Sequence, residues 1–386
     1  MTMSQVNLYN KYRPKYFSEI IGQDVVTTIL KNAINKDRVA NSYLFRGSKG
    51  SGKTSIARIF CRGTNCSSFT DIDDLCGTCN GCTKALQDAL EIDAASNRGI
   101  ADVAELVQTL QYRPKFVESK FIIIDEAHQL TSAALNALLK IVEEPPQYIH
   151  FIFCTTKIRS VPTTDTEKAF ETLASRCQAF DFTRISSEGI LTKLRYICKS
   201  EKCDISDDVL VSIVGRSDGS LRDAENLLDS ALLLYTNNPL DHSIELFYGD
   251  IELQSVKFFR DCALHTVKDG LISAVKLWDS GYDPGEIAEN VLTFILDIIN
   301  LKAGLTVYRP SGIVTVLKEI SENMEQSRLT QIALAFNNLK NSHKNTALAL
   351  ELAVCDSFIN YFVEDVPILM NDDSFEVLSP KTAKVW

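Results

Sequence analysis

Short runs of apolar residues alternate with helical patterns over the first 180 residues of the chain. The runs predict β-strands at Tyr43–Phe45, Leu90–Asp93, Phe121–Ile124, Ile149–Cys154 and Gln178–Phe182. The third run, Phe-Ile-Ile-Ile, is apolar at every position, as in a strand that is buried on both faces. Strands that alternate with helices imply a parallel sheet covered by helices. The pattern therefore predicts an α/β domain over residues 1–180.

The strand pattern ends near Phe182, and the rest of the chain has helical periodicity. Three short helices fit residues 186–236, and a further set of helices fits residues 244–368. In the second set, apolar residues recur three and four positions apart, as on the buried face of a helix. Examples are Val291, Phe294, Ile295 and Ile298. We therefore predict two helical domains after the α/β domain, and a flexible polar tail over residues 371–386.

Composition and charge limit the kind of protein that this chain can be. A net charge of −10 over 386 residues argues against a chain that holds nucleic acid alone by bulk attraction. Contact with DNA would need a local basic surface or one pooled by several subunits. No apolar stretch is long enough to cross a membrane and no N-terminal signal pattern is present, which predicts a cytoplasmic protein. The eleven cysteines are then expected to be thiols and metal ligands rather than disulfides.

Residues 47–54 form a complete phosphate-binding loop of the pattern G-x-x-x-x-G-K-[ST]. Its glycines let successive backbone N–H groups surround phosphate oxygens without a Cβ in the way. Lys53 would reach the β- and γ-phosphates of ATP, and the Thr54 hydroxyl would bind Mg²⁺. A helix follows with its N-terminus toward the phosphates. The expected nucleotide-binding residues here are Gly47, Ser48, Lys49, Gly50, Ser51, Gly52, Lys53, Thr54 and Ser55.

Two acidic residues after the all-apolar strand complete the expected hydrolytic site. Asp125 and Glu126 come at the carboxyl end of that strand, the edge at which α/β sheets bind ligands. Asp125 would hold Mg²⁺ through water, and Glu126 would orient and polarise the attacking water. Thr156, after the next strand, could sense the γ-phosphate or help to hold the water.

Residues 125–128, Asp-Glu-Ala-His, also spell the box of one helicase superfamily. That class of protein needs a second α/β domain whose arginines close over the nucleotide. The C-terminal half of this chain has a helical pattern and no second set of strands, so the architecture excludes the helicase interpretation.

A segment inserted after the loop helix contains four cysteines, namely Cys66, Cys76, Cys79 and Cys82. Small turn-forming residues separate the last three, so that their sulfurs can converge on one ion. Four thiolates suit tetrahedral Zn²⁺ and leave no open position for chemistry, which predicts a structural zinc site. An iron–sulfur site and free thiols are the alternatives. A ferredoxin-type run would continue with cysteine and proline, where this chain has Leu86 and Gln87.

Further motifs occur together with these in a characteristic order. They are Tyr12-Arg13-Pro14, Glu91-Ile92-Asp93-Ala94-Ala95-Ser96, Asn136-Ala137-Leu138-Leu139-Lys140, Glu143-Glu144-Pro145-Pro146 and Ser175-Arg176-Cys177. The chain closely resembles the gamma/tau subunits of DNA polymerase III, which are the ATPase subunits of bacterial sliding-clamp loaders. The motifs cover residues 8–230 densely, and the chain ends where a short, gamma-like form would end.

This resemblance implies an AAA+ ATPase with a zinc module at about residues 61–90, a helical lid domain over 181–243 and a helical collar domain over 244–370. In such a loader, ATP binding holds the subunits in a spiral that opens the clamp, and hydrolysis triggered by DNA releases the closed clamp. The implied cofactors are ATP, Mg²⁺ and Zn²⁺. The implied partners are the other subunits of a pentameric hetero-oligomer, the sliding clamp and primer–template DNA, with no membrane.

The resemblance also assigns roles to two arginines. Arg176 matches the family's arginine finger and would reach the ATP site of a neighbouring subunit, where a guanidinium stabilises transition-state charge. Arg222 matches the sensor of the lid domain and would touch the γ-phosphate in its own subunit. Ser220 is a predicted N-cap of that helix, with Asp223 at the third helical position.

Other assignments concern the base and DNA. Tyr12 and Arg13 would lie near the adenine, with Val25 in the helix that follows. The residues expected to contact the DNA backbone, or to couple DNA binding to Glu126, are Asn97, Arg98, Gly99 and Lys140. One stretch, residues 157–174, departs from the family pattern because it is longer and rich in threonine and charge. It would lie near the inter-subunit face or the DNA channel.

Two other functions compete with the clamp-loader ATPase. One is another AAA+ motor, such as a branch-migration helicase, against which the cysteine insertion and the Ser-Arg-Cys run argue. The other is a non-hydrolysing scaffold subunit of the same loader. Such subunits typically have a degraded phosphate loop, whereas residues 47–54, Asp125 and Glu126 are intact here.

Overall fold

The computed structural model describes residues 7–69, 73–157, 162–237, 242–341 and 347–363. The predicted tail over 371–386, and residues 158–161 of the long 157–174 stretch, lie outside these ranges. The chain divides into two compact units, Met1–Phe247 with Tyr308–Pro310, and Tyr248–Val307 with Ser311–Trp386.

Five parallel strands form the sheet of the first unit. They are β1 (Ser42–Gly47), β2 (Leu90–Asp93), β3 (Lys120–Asp125), β4 (Ile149–Thr155) and β5 (Gln178–Phe182). Their order across the sheet is β2-β3-β4-β1-β5, with every neighbouring pair parallel. The strands predicted from the apolar runs are confirmed, and so is the α/β fold class.

Within the described residues, seven α-helices of the first unit precede the lid. They are α1 (Leu8–Lys11), α2 (Asp24–Asn35), α3 (Lys53–Thr64), α4 (Asn80–Asp88), α5 (Ile100–Thr109), α6 (Ser132–Glu143) and α7 (Asp165–Ala174). Strand β3 shows how the sheet divides the core, since Phe121 and Ile123 face one cluster while Ile122 and Ile124 face the other. Helices α2, α3 and α4 contribute to the first cluster, and α5, α6 and α7 to the second. The α/β part is therefore a three-layer sandwich with both faces of the sheet covered.

Three helices follow the sheet and form the lid: α8 (Ser187–Glu201), α9 (Asp207–Arg216) and α10 (Leu221–Asn237). Their apolar faces share one core cluster, which also includes Leu8 of α1. The Ser186 hydroxyl accepts a hydrogen bond from the Gly189 N–H at the start of α8 and so satisfies one of the unpaired donors of that helix. The prediction of three short helices in this region is confirmed.

The second unit is helical throughout its described residues. It contains most of α11 (His242–Leu264), then α12 (Val267–Asp279), α13 (Pro284–Lys302), α14 (Ser311–Asn323), α15 (Gln326–Asn341) and α16 (Ala347–Val363). The predicted apolar face of α13, including Val291 and Ile298, is buried in one core cluster. No helix within the described ranges is long and apolar enough to span a bilayer.

Candidate nucleotide site and cysteine cluster

The phosphate-binding loop connects β1 to α3 and has the backbone geometry that its glycines allow. Gly50 and Gly52 adopt φ values of +74° and +96°, in the left-handed region. Lys53 is only 6% exposed, and its Nζ donates hydrogen bonds to the carbonyl oxygens of Gly47 (2.9 Å) and Ser48 (2.8 Å). Burial lowers the pKa of Lys53, although nearby acids oppose this effect. The ammonium therefore lies inside the loop, where phosphate oxygens would compete with these carbonyls for its protons.

The acids at the end of β3 stand directly beside the loop. The Thr54 hydroxyl donates to Asp125 Oδ2 at 2.8 Å, so two oxygen ligands suited to Mg²⁺ lie together. Glu126 has φ 48° and ψ 41°, a left-handed conformation that is strained for a residue with a Cβ. This conformation turns the chain out of the strand direction immediately after Asp125.

The Glu126 carboxylate belongs to a small polar network. Its Oε2 accepts a hydrogen bond from the Thr156 hydroxyl at 3.2 Å. The His128 Nδ1 lies 3.4 Å from the same oxygen and 3.0 Å from Thr155 Oγ1. Burial lowers the pKa of His128, with Glu126 opposing that shift. The predicted proximity of Thr156 to the acids is present in the structure.

One cleft brings together loop, acids, lid and N-terminal segment. Its lining residues are Tyr9, Arg13, Pro14, Glu19, Ile20, Ile21, Lys49, Gly50, Ser51, Gly52, Lys53, Thr54, Ser55, Asp125, Glu126, Ile185, Leu221, Arg222 and Glu225. Most of the predicted nucleotide residues therefore line one cavity, and Gly47 and Ser48 support it through the carbonyls that bind Lys53.

The lid contacts the phosphate loop at the start of α10. A Cβ added to Gly50 would stand 2.0 Å from the Ser220 Oγ, so only glycine permits this approach. The same hydroxyl accepts a hydrogen bond from the Asp223 N–H at 3.3 Å, which confirms Ser220 as the N-cap. Arg222 lines the cleft, with its guanidinium carbon 4.8 Å from the centroid of the Tyr9 ring.

Glu225 lines the cleft and belongs to none of the sequence motifs. It is 4% exposed, and its Oε1 has no hydrogen-bond partner among the described residues. Burial raises the pKa of Glu225 to about 8, while the positive charges of Lys193 and Arg13 oppose the shift. A signal was available in the sequence, because Glu225 falls on the otherwise apolar face formed by Leu221 and Leu228.

Two residues expected near the adenine are not brought to the cleft. Tyr12 donates its hydroxyl hydrogen bond to Glu201 and stands edge-on to Tyr196, both on helix α8 of the lid. Burial is the largest cause that raises the pKa of Tyr12 to about 12, and the hydrogen bond with Glu201 is the second. Val25 is 73% exposed on α2 and is not among the lining residues. Of the three side chains expected near the base, Arg13 alone lines the cleft.

Arg176 lies on the surface, away from the cleft of its own chain. Its Nε donates to Glu143 Oε1 at 2.5 Å, and its Nη1 donates to the Thr172 carbonyl at 2.7 Å. Both side chains of the Arg176–Glu143 pair are substantially exposed. The guanidinium is therefore held at the junction of α7 and β5, where it is accessible to a neighbouring molecule.

The residues predicted to contact DNA lie in two places, before the start of α5 and on α6. Asn97 and Arg98 occupy the turn before α5, and Gly99 is the N-cap of that helix. The Gly99 N–H donates to Asp102 Oδ2 at 3.0 Å. Lys140 is exposed on α6 and makes no hydrogen bond to Glu126 in the described structure. Their proposed contact with DNA stays a prediction.

The long segment before Arg176 contains helix α7. Thr164 caps this helix, and Glu167 completes a capping box. The Lys157 ammonium is paired with Glu167, which ties the end of β4 to the first turn of α7. These contacts lower the pKa of Glu167 well below its usual value, with the hydrogen bond from Lys157 as the largest cause.

The four predicted metal ligands form one cluster. The Sγ atoms of Cys66, Cys76, Cys79 and Cys82 all lie within 4.8 Å of one another. Sulfurs bound at ~2.3 Å to one tetrahedral ion stand about 3.8 Å apart, and the Cys76 and Cys82 sulfurs are separated by 3.8 Å. The residues present therefore fit a zinc ion.

Backbone donors point at three of these sulfurs. The N–H groups of Cys76, Cys79 and Cys82 donate to the sulfurs of Cys66, Cys76 and Cys79 respectively, each at 3.4 Å. Hydrogen bonds led by the Cys79 N–H lower the pKa of Cys76 to about 5, whereas burial raises the pKa values of Cys66 and Cys82. Donors aimed at sulfur stabilise the thiolate form, which is the form that binds metal.

Two family models match parts of the chain. Residues 22–186 match the family model described as DNA polymerase III, delta subunit, and residues 192–233 match the RCF1/5-like, AAA+ ATPase lid domain. Among solved structures, the Thermotoga maritima RuvB Holliday junction branch migration motor is similar, with 18% identity and a TM-score of 0.45. That similarity covers 66% of this chain and 80% of the RuvB chain. The family matches and the sheet with its phosphate loop define the AAA+ fold class.

Curated relatives narrow the comparison further. The DNA polymerase III subunit tau of Bacillus subtilis (strain 168) is 32% identical over 338 residues, which is 86% of this chain and 58% of that protein. The subunit gamma/tau of Mycoplasma genitalium is 43% identical over 231 residues, covering 59% of this chain and 37% of that protein. The chain is therefore similar to the DNA polymerase III gamma/tau subunits, and it spans between about a third and three-fifths of the length of these relatives.

Proposed function

We propose that this chain is an ATP-hydrolysing subunit of a sliding-clamp loader. The observation that carries the proposal is the convergence of Lys53, Thr54, Asp125 and Glu126 in one cleft that Arg222 of the lid also lines. The similarity to known proteins supplies the setting, because relatives named as DNA polymerase III subunits match most of the chain. DNA replication is therefore the process in which the hydrolysis would act.

Each of these cleft residues would have a separate role in phosphoryl transfer. Lys53 binds phosphate oxygens with its ammonium, and Thr54 and Asp125 hold Mg²⁺, which neutralises charge on the β- and γ-phosphates when bound. Glu126 orients the attacking water and accepts its proton. Thr156 keeps the Glu126 carboxylate in place through the observed 3.2 Å hydrogen bond. Positioning and charge stabilisation are what this reaction needs from the protein.

Two arginines would make hydrolysis depend on the assembly. Arg222 would contact the nucleotide bound in its own subunit. Because α10 begins where Ser220 approaches Gly50 of the phosphate loop, this contact would couple nucleotide binding to the position of the lid. Arg176 is exposed and would leave Glu143 to enter the site of a neighbouring subunit. A finger supplied in trans lets a subunit hydrolyse ATP only when its neighbour is correctly placed.

The remaining predictions complete the proposal. Zn²⁺ would be held by the four-cysteine cluster and would stabilise the module at about residues 61–90. Domains would comprise 1–180 for the nucleotide, 181–243 for the lid and 244–370 for assembly of a pentameric hetero-oligomer. The subunit would help to load a sliding clamp onto primer–template DNA. Its location would be the nucleoid in the cytoplasm. The DNA backbone would meet Asn97, Arg98, Gly99 and Lys140.

Steady-state ATP hydrolysis, with and without primed DNA and clamp and in the presence of the partner subunits, tests the proposal. We expect stimulation by DNA and clamp, no turnover in Lys53→Ala, and loss of the stimulated rate on the order of 10²–10³-fold in Arg176→Ala. Arg195→Ala is the matched control, because Arg195 is an exposed arginine that pairs with Asp207 on the lid. That variant should keep the wild-type rate.

Other outcomes of this experiment would point to the competing functions. A wild-type protein without any turnover would be a scaffold subunit. Strand displacement by the isolated chain would indicate a branch-migration motor. A rate of ATP hydrolysis that changes neither with DNA and clamp nor with the Arg176→Ala substitution would contradict the clamp-loader assignment.

A further inference from the structure

Glu225 is a carboxyl group in the cleft that no step of hydrolysis uses. It lies on α10 one helical turn after Arg222, lines the cavity and is 4% exposed. Its Oε1 atom is buried and lacks a hydrogen-bond partner within the described ranges. Buried polar atoms in folded proteins are nearly always bonded, so an unbonded one in a residue that lines a ligand cleft is a candidate acceptor for a group of the ligand.

The groups around Glu225 do not satisfy this oxygen. Arg13, from the N-terminal segment, and Lys193, from α8, act on the carboxyl through their charges and make no hydrogen bond to Oε1. The lining of the cleft combines these charged groups with apolar side chains, among them Ile21, Ile185 and Leu221. Apolar side chains beside a few polar groups are the composition typical of a site for the organic part of a ligand.

The direction of α10 indicates which part of a nucleotide meets Glu225. The helix starts at the phosphate loop, where Ser220 touches Gly50, and each further turn leads about 5.4 Å along the axis. Arg222 is in the first turn and Glu225 follows in the next. The phosphate loop would hold the phosphate oxygens at the start of α10, before Glu225 is reached, and an ionised carboxyl would also repel them. Among the parts of the nucleotide, the base and the sugar offer donors.

We infer that Glu225 accepts a hydrogen bond from the nucleoside part of the bound nucleotide and thereby helps to select which nucleotide the cleft retains. The donor is the exocyclic amino group of the base or a ribose hydroxyl. This inference rests on the proposed function, because it takes the ligand to be a nucleoside triphosphate. An acceptor oxygen is available in both protonation states of the carboxyl, so the contact does not require a particular charge.

Binding of four nucleotides to purified protein tests the inference directly. The probes are ATP, purine riboside triphosphate, which lacks the amino group, and the 2′-deoxy and 3′-deoxy forms of ATP. Wild-type protein should bind at least one analogue about tenfold or more weakly than ATP. Equal affinity for all four probes would overturn the inference without any variant.

The variants Glu225→Leu and Glu225→Gln assign the effect to this side chain. Glu225→Leu should bind ATP about tenfold more weakly, and it should bind the analogue that lacks the donor no more weakly than wild type does. Glu225→Gln keeps an acceptor and should retain discrimination. Asp229→Leu, one turn further along α10 and outside the cleft lining, is the matched control and should bind like wild type. A loss shared equally by all four probes would identify a structural role instead.

The result separates this inference from the function on which it rests. If wild-type protein binds none of the triphosphates, the proposed ATPase itself is wrong. If it binds them and the Glu225 substitutions show no coupling to the analogues, the ATPase stands and this inference fails. The melting temperature without nucleotide supplies a second readout, because removal of an unbonded buried carboxyl should not lower it. A clear fall in Glu225→Leu would show that the carboxyl supports the fold.

Discussion

The two ends of the cleft differ in how their polar groups are satisfied. At the phosphate end, Lys53 is bonded to loop carbonyls, Thr54 to Asp125 and Thr156 to Glu126. At the other end, Glu225 is buried, and its Oε1 has no hydrogen-bond partner in the part of the chain that the structure describes. The phosphate end is an internally bonded network of fixed geometry, whereas the nucleoside end is completed only by a ligand. Reaction chemistry and nucleotide choice are therefore assigned to different parts of one cavity.

Glu126→Gln should give the largest effect, and it should be confined to the phosphate end. Loss of the carboxylate removes the group that positions and deprotonates water, so turnover should fall on the order of 10²–10⁴-fold. Nucleotide affinity and discrimination among the nucleoside analogues should stay within about twofold of wild type. Steady-state hydrolysis and calorimetric binding measure the two quantities, with the exposed Glu144→Gln as control. A parallel loss of binding would mean that the two ends are not independent.

Gly50→Ala should disturb the contact that joins the phosphate loop to the lid. Its φ of +74° is strained for alanine, and the new Cβ would overlap Ser220. We expect a loss of about 2–3 kcal/mol in the free energy of unfolding, together with weaker nucleotide binding. Gly22→Ala is the matched control in the same unit, with φ +75° and its nearest contact at 3.8 Å. It should lose only about 1 kcal/mol from backbone strain. If urea unfolding gives equal losses of unfolding free energy for the two variants, the steric contact between position 50 and Ser220 is contradicted.

A smaller effect, and one that depends on pH, is expected at the nucleoside end. The pKa of Glu225 is about 8 in the folded chain against an ordinary value of 4.5, because burial disfavours its charge. The folded protein therefore keeps a proton that the unfolded chain releases, and stability falls as pH rises from about 4.5 to about 8. Glutamine does not titrate, so Glu225→Gln should not show this loss of stability with rising pH.

The variant should thus be more stable than wild type by about 1–2 kcal/mol at pH 8 and by much less at pH 5. Urea unfolding across that range measures the difference. Glu105→Gln, at an exposed position of α5, is the control for loss of a surface charge. A difference between wild type and Glu225→Gln that does not change with pH would show that the carboxyl is ionised throughout.

The features that the sequence predicted depend mainly on residues close together in the chain. All five strands, the phosphate loop, the Ser220 cap and the cysteine cluster follow from local patterns of polarity and spacing. A loop of eight residues carries its geometry in its own glycines, and an N-cap needs only the next three residues. Such elements can be read without knowledge of the tertiary fold.

The features that could not be predicted depend on distant partners. Tyr12 was expected at the base, but its hydroxyl is bound to Glu201, which is 189 positions away in the sequence. The close approach of Gly50 to Ser220 likewise joins two motifs that each make sense alone. Glu225 interrupts an apolar helix face, which was visible, but its position in the cleft follows only from the placement of the lid. The spacing of motifs predicts individual elements but does not predict which of these elements contact one another.

The left-handed backbone at Glu126 has an evolutionary consequence. Glycine or asparagine would fit φ 48° with less strain, so stability alone would favour replacing this glutamate. A lineage that ceased to need hydrolysis would be released from this constraint and would be expected to drift toward such residues at position 126. A glutamate that persists there in related chains would then mark selection for turnover rather than for folding.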